Sequence, residues 1–275
     1  MSEAVTMHPR LSIHQVGFGA QSLDQFADAC VRIGARQLTL VSPLLLADGA
    51  ASIRATLAER GLRAVNVAHG FCATPLSDPA GRSAARDTLL RLIDEAAALG
   101  VGTVYMLTGG RGTLGWEEAA DAFAEAVRPC VERGRAAGVA IAIENASGLY
   151  ADIHIAHSLS DTIRLAEIAD VALCIETYFG WPEAGLAELI RRAMPRCTLV
   201  QLSDYVPGDR SLPSRAVPGD GAIPLATLLR IIHDAGYTGP LDLELLGPRI
   251  DAEGAEAAYA RAGAVVTDML TTLRL

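Results

Sequence analysis

Four side chains with oxygen donors stand at regular intervals in the second half of the chain. Glu144 closes the run IAIE, Glu176 closes LCIE, Gln201 lies in LVQLSD and Glu244 in LDLELLG. Each sits within or just after a short apolar stretch, and successive ones are one strand–helix unit apart or slightly more. Three carboxylates embedded in apolar strands cannot converge unpaired, because mutual repulsion and desolvation would force protonation or unfolding. A divalent cation removes both costs. A set made only of oxygens, with no thiolate or imidazole, suits a hard ion: Mn2+ first, with Mg2+ or Co2+ as alternatives. Any one of these residues could equally pair with an Arg or cap a helix. Four in succession on neighbouring strands point to a metal site of Glu144, Glu176, Gln201 and Glu244.

Such a set needs strands that deliver their ends to one rim. Short β-branched runs alternate with longer Ala/Leu/Arg/Glu stretches of helical period, the pattern of parallel βα units. Eight strands are expected: Leu11–Val16, Gln37–Val41, Ala64–Ala68, Thr103–Leu107, Ala140–Glu144, Ala172–Ile175, Thr198–Leu202 and Leu241–Leu245. Helices are expected to centre on 23–32, 51–60, 81–99, 116–137, 159–168, 185–194, 223–235 and 253–273. Ser22 and Ser158 are placed to cap helices. RGL at 60–62, LGV at 99–101 and AGV at 137–139 each set a Gly between helix and strand. The expectation is a (β/α)8 TIM barrel, one domain over 1–275, with chemistry at the C-terminal ends of the strands. An open doubly wound sheet is the rival, but GFGAQS at 17–22 lacks the third glycine of a phosphate loop. The irregular stretch 204–222 follows strand seven and could act as a lid.

Composition narrows the chemistry. The 275 residues are 51% hydrophobic and 20% charged, enough for a large core. The net charge of −9 argues against a nucleic-acid or anionic-membrane partner. All 23 basic residues are Arg. Without Lys there is no Schiff-base aldolase, pyridoxal-phosphate enzyme or Walker-type nucleotide site. Five scattered cysteines without a C-x-x-C read as reduced thiols, mostly buried. No charged-then-apolar leader opens the chain, and no run reaches the ~18 apolar residues of a membrane span. A cytoplasmic protein is expected.

At IAIEN (141–145), LVQLSD with RAVPGDGAI (199–204 and 215–223) and GYTGPLDLELLG (236–247), the sequence resembles the xylose isomerase-like TIM barrels. These are the sugar phosphate isomerases and epimerases, together with inosose and 3-dehydroshikimate dehydratases. The resemblance implies metal ligands at Glu144, Glu176, Gln201 and Glu244, with Glu144 and Glu244 also exchanging the substrate proton. It implies a divalent-metal-dependent isomerase or epimerase of a small keto-sugar or polyhydroxy ketone, in carbohydrate metabolism. Proton transfer would pass through a metal-stabilised enediolate. The runner-up is a metal-dependent lyase dehydrating a cyclic keto-polyol such as an inosose or 3-dehydroshikimate. Two positions depart from the commonest pattern. Glu176 replaces Asp and is followed by Thr177, Tyr178 and Phe179 where a His is usual, and Gln201 stands where His is more frequent.

Arg215 matches a substrate-contacting Arg of the family, with Arg210 as a nearby substitute. His69, at the end of strand three, is expected to line the substrate pocket, a satisfied core histidine being the alternative. His14 could point inward beside the ligands. His154 or His157 could border the site or begin a helix. Phe179 and Trp181 could form an apolar wall or pack in the core, and Asp204 could orient Gln201 or an adjacent ligand. The expected partner is a small polyhydroxy carbonyl compound, with a homodimer as the base-rate assembly. An apurinic endonuclease would need a His-rich shell that six histidines and an acidic chain do not suggest. A barrel that binds without catalysing is the remaining alternative.

Overall fold

The computed structural model describes residues 7–275. Residues 1–6 of the expected domain lie outside the described span. Eight parallel strands close into a barrel in chain order. They are β1 (Leu11–His14), β2 (Gln37–Val41), β3 (Arg63–Gly70), β4 (Thr103–Leu107), β5 (Ala140–Glu144), β6 (Ala172–Glu176), β7 (Cys197–Leu202) and β8 (Leu241–Leu243). Around them lie α1 (Leu23–Arg32), α2 (Ser42–Ala58), α3 (Pro79–Leu99), α4 (Trp116–Ala137), α5 (Leu159–Ala169), α6 (Thr177–Gly180), α7 (Leu186–Ala193), α8 (Leu225–Asp234), α9 (Pro248–Glu253) and α10 (Ala255–Leu273). The expected (β/α)8 barrel is therefore the fold, and the open sheet is excluded.

The local signals act as their chemistry requires. Ser22 and Gln25 form a reciprocal capping box on α1, and Ser158 accepts the amide hydrogen of Asp161 at the start of α5. Gly100 and Gly138 end α3 and α4 in the left-handed region, at φ 86° and 72°. Two boundaries differ from expectation in ways that matter for the site. β1 stops at His14, because the imidazole accepts the Val16 amide hydrogen and starts a 3-10 turn over Gln15–Phe18. β8 stops at Leu243, leaving Glu244 just beyond the strand.

Alternation along the strands builds the interior in layers, since residues two apart share a face. One buried cluster joins Tyr105, Ala142, Cys174 and Leu199 from β4 to β7. Opposite it, Asp242 accepts hydrogen bonds from Ser12 and Thr39, and Asn66 donates to Thr39. Two residues further along, Ala142 gives way to Glu144, Cys174 to Glu176, Leu199 to Gln201 and Asp242 to Glu244. The helices cover the outside through a continuous apolar core that includes Phe26, Phe123, Leu92 and Val266. Cys30, Cys72, Cys130 and Cys174 are buried, Cys197 is half-buried, and all five are free thiols. Among the described residues, no helix is long and apolar enough to cross a membrane.

Candidate active site

The C-terminal rim gathers three of the expected carboxylates around one guanidinium. Arg215 is only 4% exposed, and its Nη2 lies 2.5 Å from Glu176 Oε2 and 2.6 Å from Glu244 Oε2. Tyr178 and Phe179 flank the same guanidinium, at 5.1 and 5.2 Å from its carbon to their ring centres. The segment 204–222 delivers this arginine. Asp204 accepts hydrogen bonds from the amides of Tyr205, Gly219, Gly221 and Ile223, and the Arg215 amide donates to the Leu246 carbonyl. Asp204 thus organises the loop that carries Arg215; none of its hydrogen bonds goes to Gln201, which sequence reasoning had it orient. Arg210 is exposed and does not share the arginine's place. Phe179 contributes an apolar wall, as expected, but one built against the guanidinium.

Glu176 is fully buried and doubly anchored. Its backbone exchanges two hydrogen bonds with the Asn145 side chain, at 2.8 and 2.9 Å, while its Oε1 accepts from the Tyr178 amide. Burial pushes its carboxyl up to about 7 against the opposing pull of Arg215. Glu144 is half-buried at the end of β5. Burial first, then Glu244 and Glu176, push its carboxyl well above the ordinary range. Arg215 is pulled the other way by its own burial, but Glu244 and Glu176 outweigh this and hold it charged.

Gln201 pairs in register with Glu176 on one side and with Asp242 on the other, while Glu144 pairs with Cys174. Gln201 Oε1 accepts from Cys174 Sγ at 3.1 Å, and its Nε2 donates to the Tyr105 hydroxyl at 3.1 Å. The amide oxygen therefore faces the barrel interior in this arrangement, not the carboxylates. Among the described residues, no group of three or more His, Cys, Asp or Glu side chains is disposed to hold a metal ion. Arg215 Nη2 lies between Glu176 and Glu244 and occupies an oxygen of each.

A cavity of ≈ 630 Å³ opens beside these groups. Glu144, Glu244, His14, Tyr105, Ser42 and His69 supply its polar lining; Val16, Val41, Pro43, Leu46 and Leu107 supply the apolar part. His69 thus lines the cavity. Its Nδ1 is 2.8 Å from Ser42 Oγ, and burial lowers its pKa to about 4. His14 does point inward, its Nε2 lying 2.6 Å from the Tyr105 hydroxyl and 3.7 Å from Glu244 Oε1. Burial and then Arg215 lower its pKa to about 3, so it is a neutral imidazole. His154 plays another part. It accepts the Thr108 amide hydrogen at Nδ1 and donates from Nε2 to the Glu144 carbonyl, tying the ends of β4 and β5 together.

Sequence reasoning missed Tyr105 and Asn145. Both carried a signal. Asn145 directly follows a candidate ligand, and Tyr105 is the only aromatic residue at an inward position of β4.

The profile of the xylose isomerase-like TIM barrel family matches residues 17–266. None of the curated proteins matches the chain. Among solved structures, protein SMc04130 of Sinorhizobium meliloti 1021 is 25% identical, with a TM-score of 0.83, over 96% of this chain and 98% of its own. A zinc-bound IolI protein is 15% identical, with a TM-score of 0.80, over 96% of this chain and 98% of its own. The D-psicose 3-epimerase of Clostridium cellulolyticum H10, solved with D-tagatose, is 16% identical, with a TM-score of 0.75, over the same shares.

Proposed function

We propose, from the premise that this chain belongs to the xylose isomerase-like TIM barrel family, that it is a divalent-metal-dependent isomerase or epimerase of a small polyhydroxy ketone. One observation carries the reading. At the C-terminal rim of the barrel Arg215 pairs with Glu176 and Glu244, and Glu244 lines, together with Glu144, a cavity large enough for a monosaccharide. Glu176 and Glu244 share the single guanidinium of Arg215, Glu144 has no ion-pair partner among the described residues, and His14 and His69 add no positive charge. The donor chemistry therefore fits a divalent ion, Mn2+ or Mg2+ before Zn2+. Glu144, Glu176 and Glu244 would hold it. Gln201, whose amide is held by Cys174 and Tyr105, does not join them in this arrangement.

A bound ion would supply Lewis acidity toward the substrate carbonyl and its neighbouring hydroxyl. The chain's own groups supply the proton traffic. Glu244 takes the proton from the carbon beside the carbonyl, leaving an enediolate. Glu144, whose burial and acidic neighbours favour its protonated form, returns a proton on its own side. Return to the same carbon from the opposite face gives epimerisation; return to the adjacent carbon, with the hydroxyl proton passing from the new carbonyl oxygen to the old one, gives isomerisation. Arg215 positions Glu244 and Glu176 and offers its remaining donors to a substrate oxygen. The apolar flank of Val41, Pro43 and Leu46 excludes water from the intermediate.

The test is exchange of the substrate's α-hydrogen with D2O, followed by proton NMR, on protein supplemented with Mn2+ and offered free ketopentoses and ketohexoses. Wild type is expected to exchange, and Glu144→Gln and Glu244→Gln to lose the exchange. Equal exchange in both variants would refute the assignment. Formation of an ultraviolet-absorbing enone from a cyclic keto-polyol would instead select the dehydratase.

A further inference from the structure

Inside the barrel, one hydroxyl hydrogen beside the cavity has no acceptor among the described residues. His14 Nδ1 already accepts the Val16 amide hydrogen at 2.9 Å. The neutral ring must therefore carry its proton on Nε2, and that atom donates to the Tyr105 oxygen at 2.6 Å. Gln201 Nε2 donates to the same oxygen at 3.1 Å. A phenol oxygen has two acceptor sites and one proton. Both acceptor sites of Tyr105 are taken, so its own O–H must point in a third direction. Among the described residues, no acceptor lies within hydrogen-bond distance to receive it. The residue nonetheless lines the cavity together with Glu144 and Glu244.

We propose that Tyr105 is a catalytic residue that donates a hydrogen bond to the substrate oxygen on which negative charge develops. The inference rests on the proton-transfer reading above. When a glutamate removes the carbon-bound proton, the bonding pair moves into the new carbon–carbon double bond and the carbonyl pair moves onto oxygen. Tyr105 keeps its proton throughout and stabilises that oxygen as a fixed, preorganised dipole. His14 and Gln201 set the direction of the O–H, because each occupies an alternative that the proton would otherwise point toward. The Tyr105 ring packs with Ala142, Cys174 and Leu199, so removing the hydroxyl alone leaves the packing intact.

The experiment uses the Mn2+-supplemented full-length chain and two readouts. One is ketose α-hydrogen exchange; the other is calorimetric binding of glycolohydroxamate, a small planar mimic of an enediolate. Tyr105→Phe is expected to lower the exchange rate about 100-fold, the effect of losing one oxyanion donor, with KM changed less than about threefold, and to weaken hydroxamate binding about tenfold. Replacing Tyr105 with a ring-fluorinated tyrosine keeps the volume and both accepted hydrogen bonds while strengthening the donor. It is expected to tighten hydroxamate binding, a response that a packing role would not give, and it decides the matter if Tyr105→Phe does not fold. Exchange and hydroxamate affinity within twofold of wild type in both variants would overturn the role of Tyr105 and leave the proposed function standing. Absence of both exchange and hydroxamate binding in wild type would overturn the proposed function, and Tyr105's role with it.

Discussion

Replacing Arg215 with Met tests the electrostatic logic of the site most directly. The methionine keeps much of the aliphatic bulk against Tyr178 and Phe179 but removes the cation that touches both Glu176 and Glu244. Removing one partner from a buried ion pair costs about 3–5 kcal/mol, since the remaining charge is left in a poorly solvated place. Glu176 sets the position within that range. Its carboxyl already titrates near 7 with the arginine present; without it the carboxyl rises further and takes up a proton at neutral pH. The penalty at pH 7 therefore falls toward the lower end, about 3 kcal/mol. Unfolding entropy for a chain of this size is roughly 0.6 kcal/mol/K near the melting temperature, so Tm should fall by about 5 °C. The loss should grow from pH 5 to pH 8, because protonation of Glu176 relieves the buried charge less as the pH rises. Differential scanning calorimetry of chelator-treated protein at both values gives the result. A Tm within 1 °C of wild type at pH 8, with no dependence on pH, would refute the argument that Arg215 is what allows these carboxylates to be buried together.

Other perturbations follow from individual contacts. In the same Arg215→Met variant, Mn2+ should bind more tightly by titration calorimetry, since the competing guanidinium is gone; unchanged affinity would mean that the two cations do not compete. Burial holds His154 at about 4 rather than 6.5 in the folded protein. Because the unfolded chain takes up this proton first, folded stability should decline as pH drops from 6.5 toward 4, by up to about 3 kcal/mol. His154→Gln should flatten that decline in urea titrations, and an unaltered slope would count against it. Asn145→Ala deletes the two hydrogen bonds that hold the Glu176 backbone, one of them an acceptor for a buried amide. A loss of about 2–3 kcal/mol in denaturant midpoint analysis is expected; less than about 0.5 would show that the clamp is replaceable. Asp204→Ala frees four loop amides, and limited proteolysis should then cut within 204–222, where wild type resists.

The architecture was legible in the amino-acid order alone, because its signals are local. A helix stops where Gly100 or Gly138 takes a left-handed turn, and a strand shows its alternation within five residues. β2, β4, β5, α1 and α4 accordingly fall on the boundaries that the sequence predicts. Glu144, Glu176 and Glu244 were legible for the same reason: each is a carboxylate in an apolar run at a strand's end. What each side chain does there was decided by contacts across the barrel. Gln201 is held by Cys174 from β6 and Tyr105 from β4, contacts that exist only once the sheet has closed. Arg215 reaches Glu176 and Glu244 from a loop pinned by Asp204, and Tyr105 from β4 meets His14 from β1, 91 residues away in sequence. Neighbours along a chain announce themselves through propensity and spacing. Partners in space are fixed only when closure of the barrel brings distant strands within a few ångströms.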